Sequence, residues 1–152
     1  MPTISIGIPV YNGEKTLGAS IDALLQQTYS DFDIIISDNN STDATATICA
    51  EYAEKDTRIR YVKQKDNMEI GHNSQSTLRD VTADYFFWNA HDDVRSKDFL
   101  QKNNDFLDAN NTFVGSASPN CFDDEKSNDN SWSRFSLEGT TYESLQLFLT
   151  HK

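Results

Sequence analysis

Apolar and polar positions switch between two periods along the 152-residue chain. Ile4-Ser5-Ile6-Gly7-Ile8-Pro9-Val10 is rich in β-branched residues and ends at Tyr11-Asn12-Gly13, a pattern that predicts a strand running into a turn. From Lys15 to Gln27, the residues Leu17, Ile21, Leu24 and Leu25 recur at helical spacing and predict a helix with one buried stripe. Phe32 to Ile36 is a short, nearly continuous apolar run, as in a parallel strand covered on both faces, and it ends in polar Ser37-Asp38-Asn39-Asn40-Ser41. Thr42 or Asp43 is placed to cap a helix through about Glu54. Ile59 to Val62 predicts a third strand, His72 to Val81 a third helix, and Tyr85-Phe86-Phe87-Trp88 a fourth strand. Further on, Phe99, Asn103, Phe106 and Leu107 suggest another helix and Thr112 to Ala117 another strand. Asp123 to Ser133 reads as a loop or hairpin tip, and Tyr142 to Leu149 as a last amphipathic stretch.

This strand–helix alternation predicts a doubly wound α/β domain, with a mainly parallel sheet, right-handed crossovers and helices on both faces. The length suits one domain spanning residues 1–152. The composition, 37% hydrophobic and 24% charged, is that of a polar globular protein. No apolar run approaches the ~20 residues of a membrane span, and the first ten residues lack the features of a leader. The expected location is therefore the cytoplasm, with peripheral association at the inner face of the membrane left open. Cys49 and Cys121 fall in no metal-binding spacing and are expected to be free thiols, Cys49 within a helix.

Charge narrows the choice of partner. Thirteen Lys and Arg against 24 Asp and Glu leave a formal charge of −11, which disfavours nucleic acid. A small anionic ligand would need a cation or aligned backbone N–H groups between it and so acidic a chain.

Ligands of open parallel sheets bind beyond the carboxyl ends of the strands, which here carry Pro9-Val10-Tyr11-Asn12, Asp38 and His91-Asp92-Asp93. Each has two readings. Asp38 is a turn or helix cap, or a ligand contact. Tyr11 packs over its loop or stacks on a base. His91 is a hydrogen-bonded neighbour of the acids or a metal ligand. Asp92-Asp93 is a solvated loop or N-cap, or it holds a cation. Hard oxygen ligands of that kind suit magnesium or manganese, commonly completed by substrate phosphates, so a diphosphate fits both the acids and the charge. Competing folds fail at the same positions. A dinucleotide-binding turn needs more glycine than Gly13 after the first strand, and neither a P-loop nor an acidic pair after the first strand is present.

Val10-Tyr11-Asn12, QTYSDFDIIISDNNSTD from Gln27 to Asp43, DNMEIGHN from Asp66 to Asn73 and YFFWNAHDD from Tyr85 to Asp93 stand in an order and spacing that resemble the family 2 glycosyltransferases. The similarity runs from about Ile4 to Leu100. It implies a GT-A domain, the fold of many nucleotide-sugar transferases, that binds a nucleoside-diphosphate sugar, usually a UDP-sugar, through Mn or Mg. By the same resemblance Pro9, Val10 and Tyr11 line the nucleoside pocket and Asp38 hydrogen-bonds the base. Asp92 approaches the ribose and sugar, Asp93 holds the metal, and His91 occupies a variable position. Transfer would proceed with inversion to a glycan or lipid-linked acceptor. Two departures stand out: Glu69 where the family often has Gly, and Ala83-Asp84 where it has a Gly before the fourth strand.

Family members usually extend another hundred or so residues to form the acceptor site and supply the catalytic base. The expectation is that this chain alone transfers sugar slowly or not at all, with the base assigned to none of Asp123, Asp124, Glu125, Glu138 or Glu143. The alternatives are a nucleotide-sugar-binding module without transfer, and a nucleotidyltransferase, which would need a Gly-rich basic loop near the amino end that Lys15 alone does not supply.

Overall fold

The computed structural model describes residues 2–79, 81–110 and 149–150. Along the chain run β1 (Ile4–Val10), α1 (Leu17–Leu25), β2 (Phe32–Asp38), α2 (Thr45–Lys55), β3 (Ile59–Lys63), α3 (Ile70–Ser76), β4 (Tyr85–Trp88), α4 (Phe99–Ala109) and β5 (Leu149–Thr150). The strands form one sheet in the order β3-β2-β1-β4-β5. The first four are parallel, and β5 joins antiparallel through Tyr85↔Thr150 and Phe86↔Leu149. The doubly wound, mainly parallel architecture thus follows the period of the sequence.

The two faces of the sheet differ because side chains alternate along each strand. Ile4, Ile6, Ile8 and Val10 of β1 join Phe32, Ile34 and Ile36 of β2 and Phe87 of β4 in one apolar core. Leu17, Ile21 and Leu24 of α1, Cys49 of α2, and Phe99, Leu100 and Leu107 of α4 complete it. The opposite face presents Gly7, Ser37 and Phe86 and is covered by the short helix α3. Gly7 is required there, since a Cβ on it would lie 2.7 Å from Phe86 Cζ and 2.9 Å from Thr77 Cβ, and closer still to Thr77 Oγ1.

Four local expectations shift, each for a physical reason. Strand β2 continues through Ser37 and Asp38 because it is paired on both sides there, Asp38 with Val10 and with Lys63. Helix α2 starts at Thr45 after the N-cap Ala44, but Asp43 still holds its first turn, Oδ1 accepting from Thr45 N at 3.0 Å. Helix α3 occupies Ile70–Ser76 rather than running to Val81. Ser76 and Thr77 donate their hydroxyls to the carbonyls of Asn73 and Ser74, and the chain beyond passes into tight i→i−3 turns. Leu149 lies in a strand. The rest of Tyr142 to Leu149, the strand expected at Thr112 to Ala117 and the loop at Asp123 to Ser133 lie outside the described residues.

Gly7→Ala should destabilise the domain by roughly 1–3 kcal/mol, because Thr77 Cβ and Phe86 must both give way. Urea unfolding checks this.

Candidate functional site

Strand β1 lies between β2 and β4, and the chain leaves β1 towards one neighbour and reaches the other only after two further strands. The loops that follow β1 and β4 therefore stand side by side at the carboxyl edge, the usual ligand position in such a sheet.

On one side, the loops after β1 and β2 satisfy each other's backbone. Asn12 N donates to Ser41 Oγ at 3.0 Å, Gly13 N to Thr45 Oγ1 at 2.8 Å and Glu14 N to Asp43 Oδ2 at 3.2 Å. In return Thr42 N donates to Asn12 Oδ1 at 2.9 Å and Ala44 N to Glu14 Oε2 at 3.1 Å. Asn12 and Asn40 have φ of 53° and 59°, left-handed values that asparagine tolerates better than most side chains. The lock fixes the base of Tyr11, whose ring is 44% exposed at the edge. Pro9 is half-buried, and Val10 belongs to the core with its carbonyl accepting from Asn39 N at 2.8 Å. Val10 can face a ligand through its backbone alone.

Asp38 is fully buried and hydrogen-bonded through both carboxylate oxygens. Its Oδ1 accepts from Ser41 N at 2.8 Å and its Oδ2 from Tyr61 Oη at 3.0 Å. Both oxygens are spent on holding the β2 loop to β3. Its neighbour Asn39 extends the tie, donating to Asn67 Oδ1 at 3.0 Å and to the Met68 carbonyl at 2.7 Å, and accepting from Met68 N at 2.8 Å. Behind it, Asn73 accepts from Ser37 Oγ at 2.7 Å and donates to the Ser37 carbonyl at 3.0 Å. Glu69 is exposed with φ −56° and ψ 145°, so that position needs no glycine here.

Beside them, the loop after β4 is held from below. Buried Asn89 donates to Ser20 Oγ at 2.9 Å, and its Oδ1 accepts from Arg95 Nε at 2.7 Å. The Arg95 side chain, 10% exposed, lies over the Phe99 ring and pairs through Nη2 with Asp93 Oδ2 at 2.7 Å. Burial pulls its guanidinium below the ordinary arginine value, with Asp93 opposing. Gln27 fixes the next turn, its Oε1 capping Leu100 N at 2.9 Å and its Nε2 donating to the Ser96 carbonyl at 2.7 Å. His91 spans the gap: its Nδ1 shares a 2.9 Å hydrogen bond with Thr16 Oγ1, and its ring lies against Gly13. Asp92 is exposed, and the Asp93 side chain is 37% exposed.

The fold thus brings Tyr11, His91, Asp92 and Asp93 to one edge and sets Asp38 behind it. Among the described residues, no three His, Cys, Asp or Glu side chains gather into an all-protein cage. Two hard carboxylates, one exposed and one partly so, are of the ligand type that magnesium and manganese take. Gln27, Asn39, Asn73, Asn89 and Arg95 carry no period or motif chemistry of their own. Gln27, Asn39, Asn73 and Asn89 do lie in the family-like segments, and Arg95 alone lies outside them.

Asp38→Ala should cost roughly 2–4 kcal/mol, since Ser41 N and Tyr61 Oη are then left without their acceptor. An unchanged unfolding midpoint would remove Asp38 from this role. Burial and the Asp38 acceptor also hold the Tyr61 phenol above its ordinary value. The folded chain keeps that proton longer than the unfolded one, so the contribution is complete below about pH 10 and is lost as pH rises beyond it. Tyr61→Phe should flatten the alkaline fall in stability.

Comparisons with known proteins bear on this edge. The Glycosyl transferase family 2 model matches residues 5–151. Glycosyltransferase GlyA of Streptococcus pneumoniae is 32% identical over 98 residues, 64% of this chain and 14% of that protein. The chain spans less than half the length of the curated relatives it matches. Among solved structures, TarS 1-349 of S. aureus in complex with UDP-GlcNAc aligns with a TM-score of 0.68 and 24% identity, over 73% of this chain and 32% of that one. The mannosyltransferase PcManGT of Pyrobaculum calidifontis, in complex with GDP-Man and Mn2+, aligns with a TM-score of 0.68 and 21% identity, over 78% and 36%. At those identities the likeness is one of fold, the GT-A arrangement. With the match across nearly its whole length, the chain belongs to glycosyl transferase family 2.

Proposed function

We propose that residues 1–152 form a single donor-binding domain of a glycosyltransferase, which takes a UDP-sugar at the carboxyl edge of the sheet, beside the β1 and β4 loops. The observation that carries this reading is the placement of Tyr11 and the Asp92-Asp93 pair on opposite lips of the switch point, with His91 tying the two loops at 2.9 Å from Thr16. Family membership and the nucleotide-sugar complexes of TarS and PcManGT support it.

In this reading the exposed Tyr11 ring stacks on the base, and Pro9 and the Val10 backbone wall the nucleoside. Asp38 acts from behind, keeping the β2 loop in place. Asp92 reaches the ribose and sugar, and Asp93 contributes a carboxylate oxygen to a Mn or Mg ion shared with the diphosphate. Such an ion would supply the positive charge that lets an acidic edge receive a diphosphate and lets the nucleotide depart. Transfer with inversion to a glycan or lipid-linked acceptor would then require a base to take the acceptor's proton, and none of the described residues is assigned that role.

Calorimetry against UDP-GlcNAc, UDP-glucose, UDP-galactose and GDP-mannose, each with and without manganese, tests the reading. A UDP-sugar should bind best, and EDTA should weaken it strongly. Tyr11→Ala should cost about 1–3 kcal/mol of affinity, the range for stacking one base on one ring. Equal binding of all four donors, or affinity indifferent to EDTA, would count against the base pocket and the metal respectively. Binding without transfer to any acceptor would reduce the chain to a donor-binding module.

A further inference from the structure

The turn after β1 carries the one asparagine–glycine pair of the sequence, Asn12-Gly13. Both members are dictated by the fold. Asn12 has φ 53°, in the left-handed region that asparagine enters at less cost than most side chains. Gly13 is buried, and a Cβ on it would lie 2.7 Å from Val10 Cγ2 and 3.2 Å from His91 Nδ1, so a side chain has no room there. The edge is therefore built with the most labile of asparagine sequences, because glycine leaves its own nitrogen unshielded by a Cβ.

The reaction at risk is deamidation. Once base has taken its proton, the Gly13 nitrogen attacks Asn12 Cγ. The bond from Cγ to Nδ2 then breaks, and the side-chain nitrogen leaves as ammonia with a proton from solvent. Water opens the resulting succinimide ring at one of its two carbonyls and leaves aspartate or isoaspartate at position 12. Neither step needs an oxidant or a cofactor. The first needs a Gly13 N–H free to lose its proton and an Asn12 side chain turned back onto it.

The structure opposes both. Gly13 N donates to Thr45 Oγ1 at 2.8 Å in a buried bond. Asn12 Oδ1 accepts from Thr42 N at 2.9 Å and from Thr42 Oγ1 at 3.3 Å, which holds the carboxamide towards the β2 loop. Asn12 N donates to Ser41 Oγ at 3.0 Å, and the Gly13 carbonyl accepts from Leu17 N at 3.0 Å, so the dipeptide is fixed at both ends. We propose that Asn12 is a deamidation site held off by the lock between the β1 and β2 loops, so that the covalent change proceeds through opening of that lock. Isoaspartate would add a carbon to the backbone beside Tyr11 and part the bonds to Ser41 and Thr45. A reversible opening is thereby converted into a permanent one.

The test incubates the 152-residue chain at mildly alkaline pH, folded and unfolded in guanidinium chloride, and reads aspartate and isoaspartate by mass-spectrometric peptide mapping. In the unfolded chain Asn12 should convert ahead of Asn40 and Asn73, each of which precedes a serine. In the folded chain Asn12 should convert at least about tenfold more slowly, since only the open fraction of a local opening equilibrium reacts. Thr45→Val keeps the shape and removes the acceptor of Gly13 N, and Ser41→Ala removes that of Asn12 N. Each should speed conversion of folded Asn12 roughly fivefold, the factor for losing one hydrogen bond of ordinary strength from the closed state. Conversion at Asn73, held by bonds outside the lock, should stay at the native rate. Either variant decides the question if circular dichroism shows the other to be unfolded, and the native comparison needs neither. Conversion of Asn12 as fast in the folded chain as in the unfolded one would overturn the proposal. So would folded variants that keep the native rate, or an equal rise at Asn73, which would trace the change to unfolding of the whole domain.

Discussion

The candidate site depends on β1 being paired on both sides by parallel neighbours. Ile4 to Val10 pair along their whole length with Phe32 to Asp38, and Ile4 to Gly7 pair on the other side with Tyr85 to Trp88. The first pairing runs three residues further than the second. Pro9, which has no N–H to give, and Val10 thus extend beyond the β4 partner on one side while still paired to β2 on the other. The open side of β1 beyond Gly7 is where the chain after β4 turns away, through Asn89 N to the Gly7 carbonyl at 2.9 Å. The step in the carboxyl edge at that place follows from unequal strand pairing and does not need a special loop.

Burying loop backbone at a sheet edge is costly unless each N–H and C=O finds a partner, and this edge meets the cost with short polar side chains. Asn12, Ser41, Asp43 and Thr45 serve the first two loops, while Asn39, Asn67 and Asn73 serve the connection to α3. Asn89, Ser20 and Gln27 do the same beneath the acid pair. These bonds cross between elements far apart in sequence, so no loop can move without breaking bonds to another. The result is an edge organised before any ligand arrives, which reduces the ordering cost of binding. Tyr11 and Asp92 stand out as side chains left towards solvent on this framework.

The elements were legible because their apolar residues keep a strict period, as with Leu17, Ile21 and Leu24 in α1 or Ile4, Ile6 and Ile8 in β1. The convergence of Tyr11 and Asp92-Asp93 was legible for the same reason, since topology alone sends the ends of β1 and β4 to one edge. Asp38 was harder. An acid at the end of a strand looks the same in sequence whether it is exposed or turned inward, and its bonds to Tyr61 from β3 and Ser41 from its own loop come from partners that no local pattern announces. The end of α3 was misplaced because the apolar residues Leu78 and Val81 continue the pattern, whereas the hydroxyls of Ser76 and Thr77 turn back on the preceding carbonyls. Arg95 was invisible in principle: two residues after an acid pair, an arginine reads as surface charge, and its burial comes from Phe99 and Asn89.

An acidic chain receiving an acidic ligand needs positive charge at the point of contact, yet not so much that the acids lose their use. Two adjacent carboxylates would repel each other if both were left unpaired, and a pair fully neutralised by basic residues could no longer hold a cation. Here the two are differentiated by their surroundings. Asp92 is exposed, while Asp93 is partly engaged by an arginine that packs against Phe99 and is anchored to β1 through Asn89. Because that anchor passes through buried groups, the charge state of the edge is coupled to the packing of the sheet. A change at Asn89, Phe99 or Ser20 would reach the acid pair without touching it.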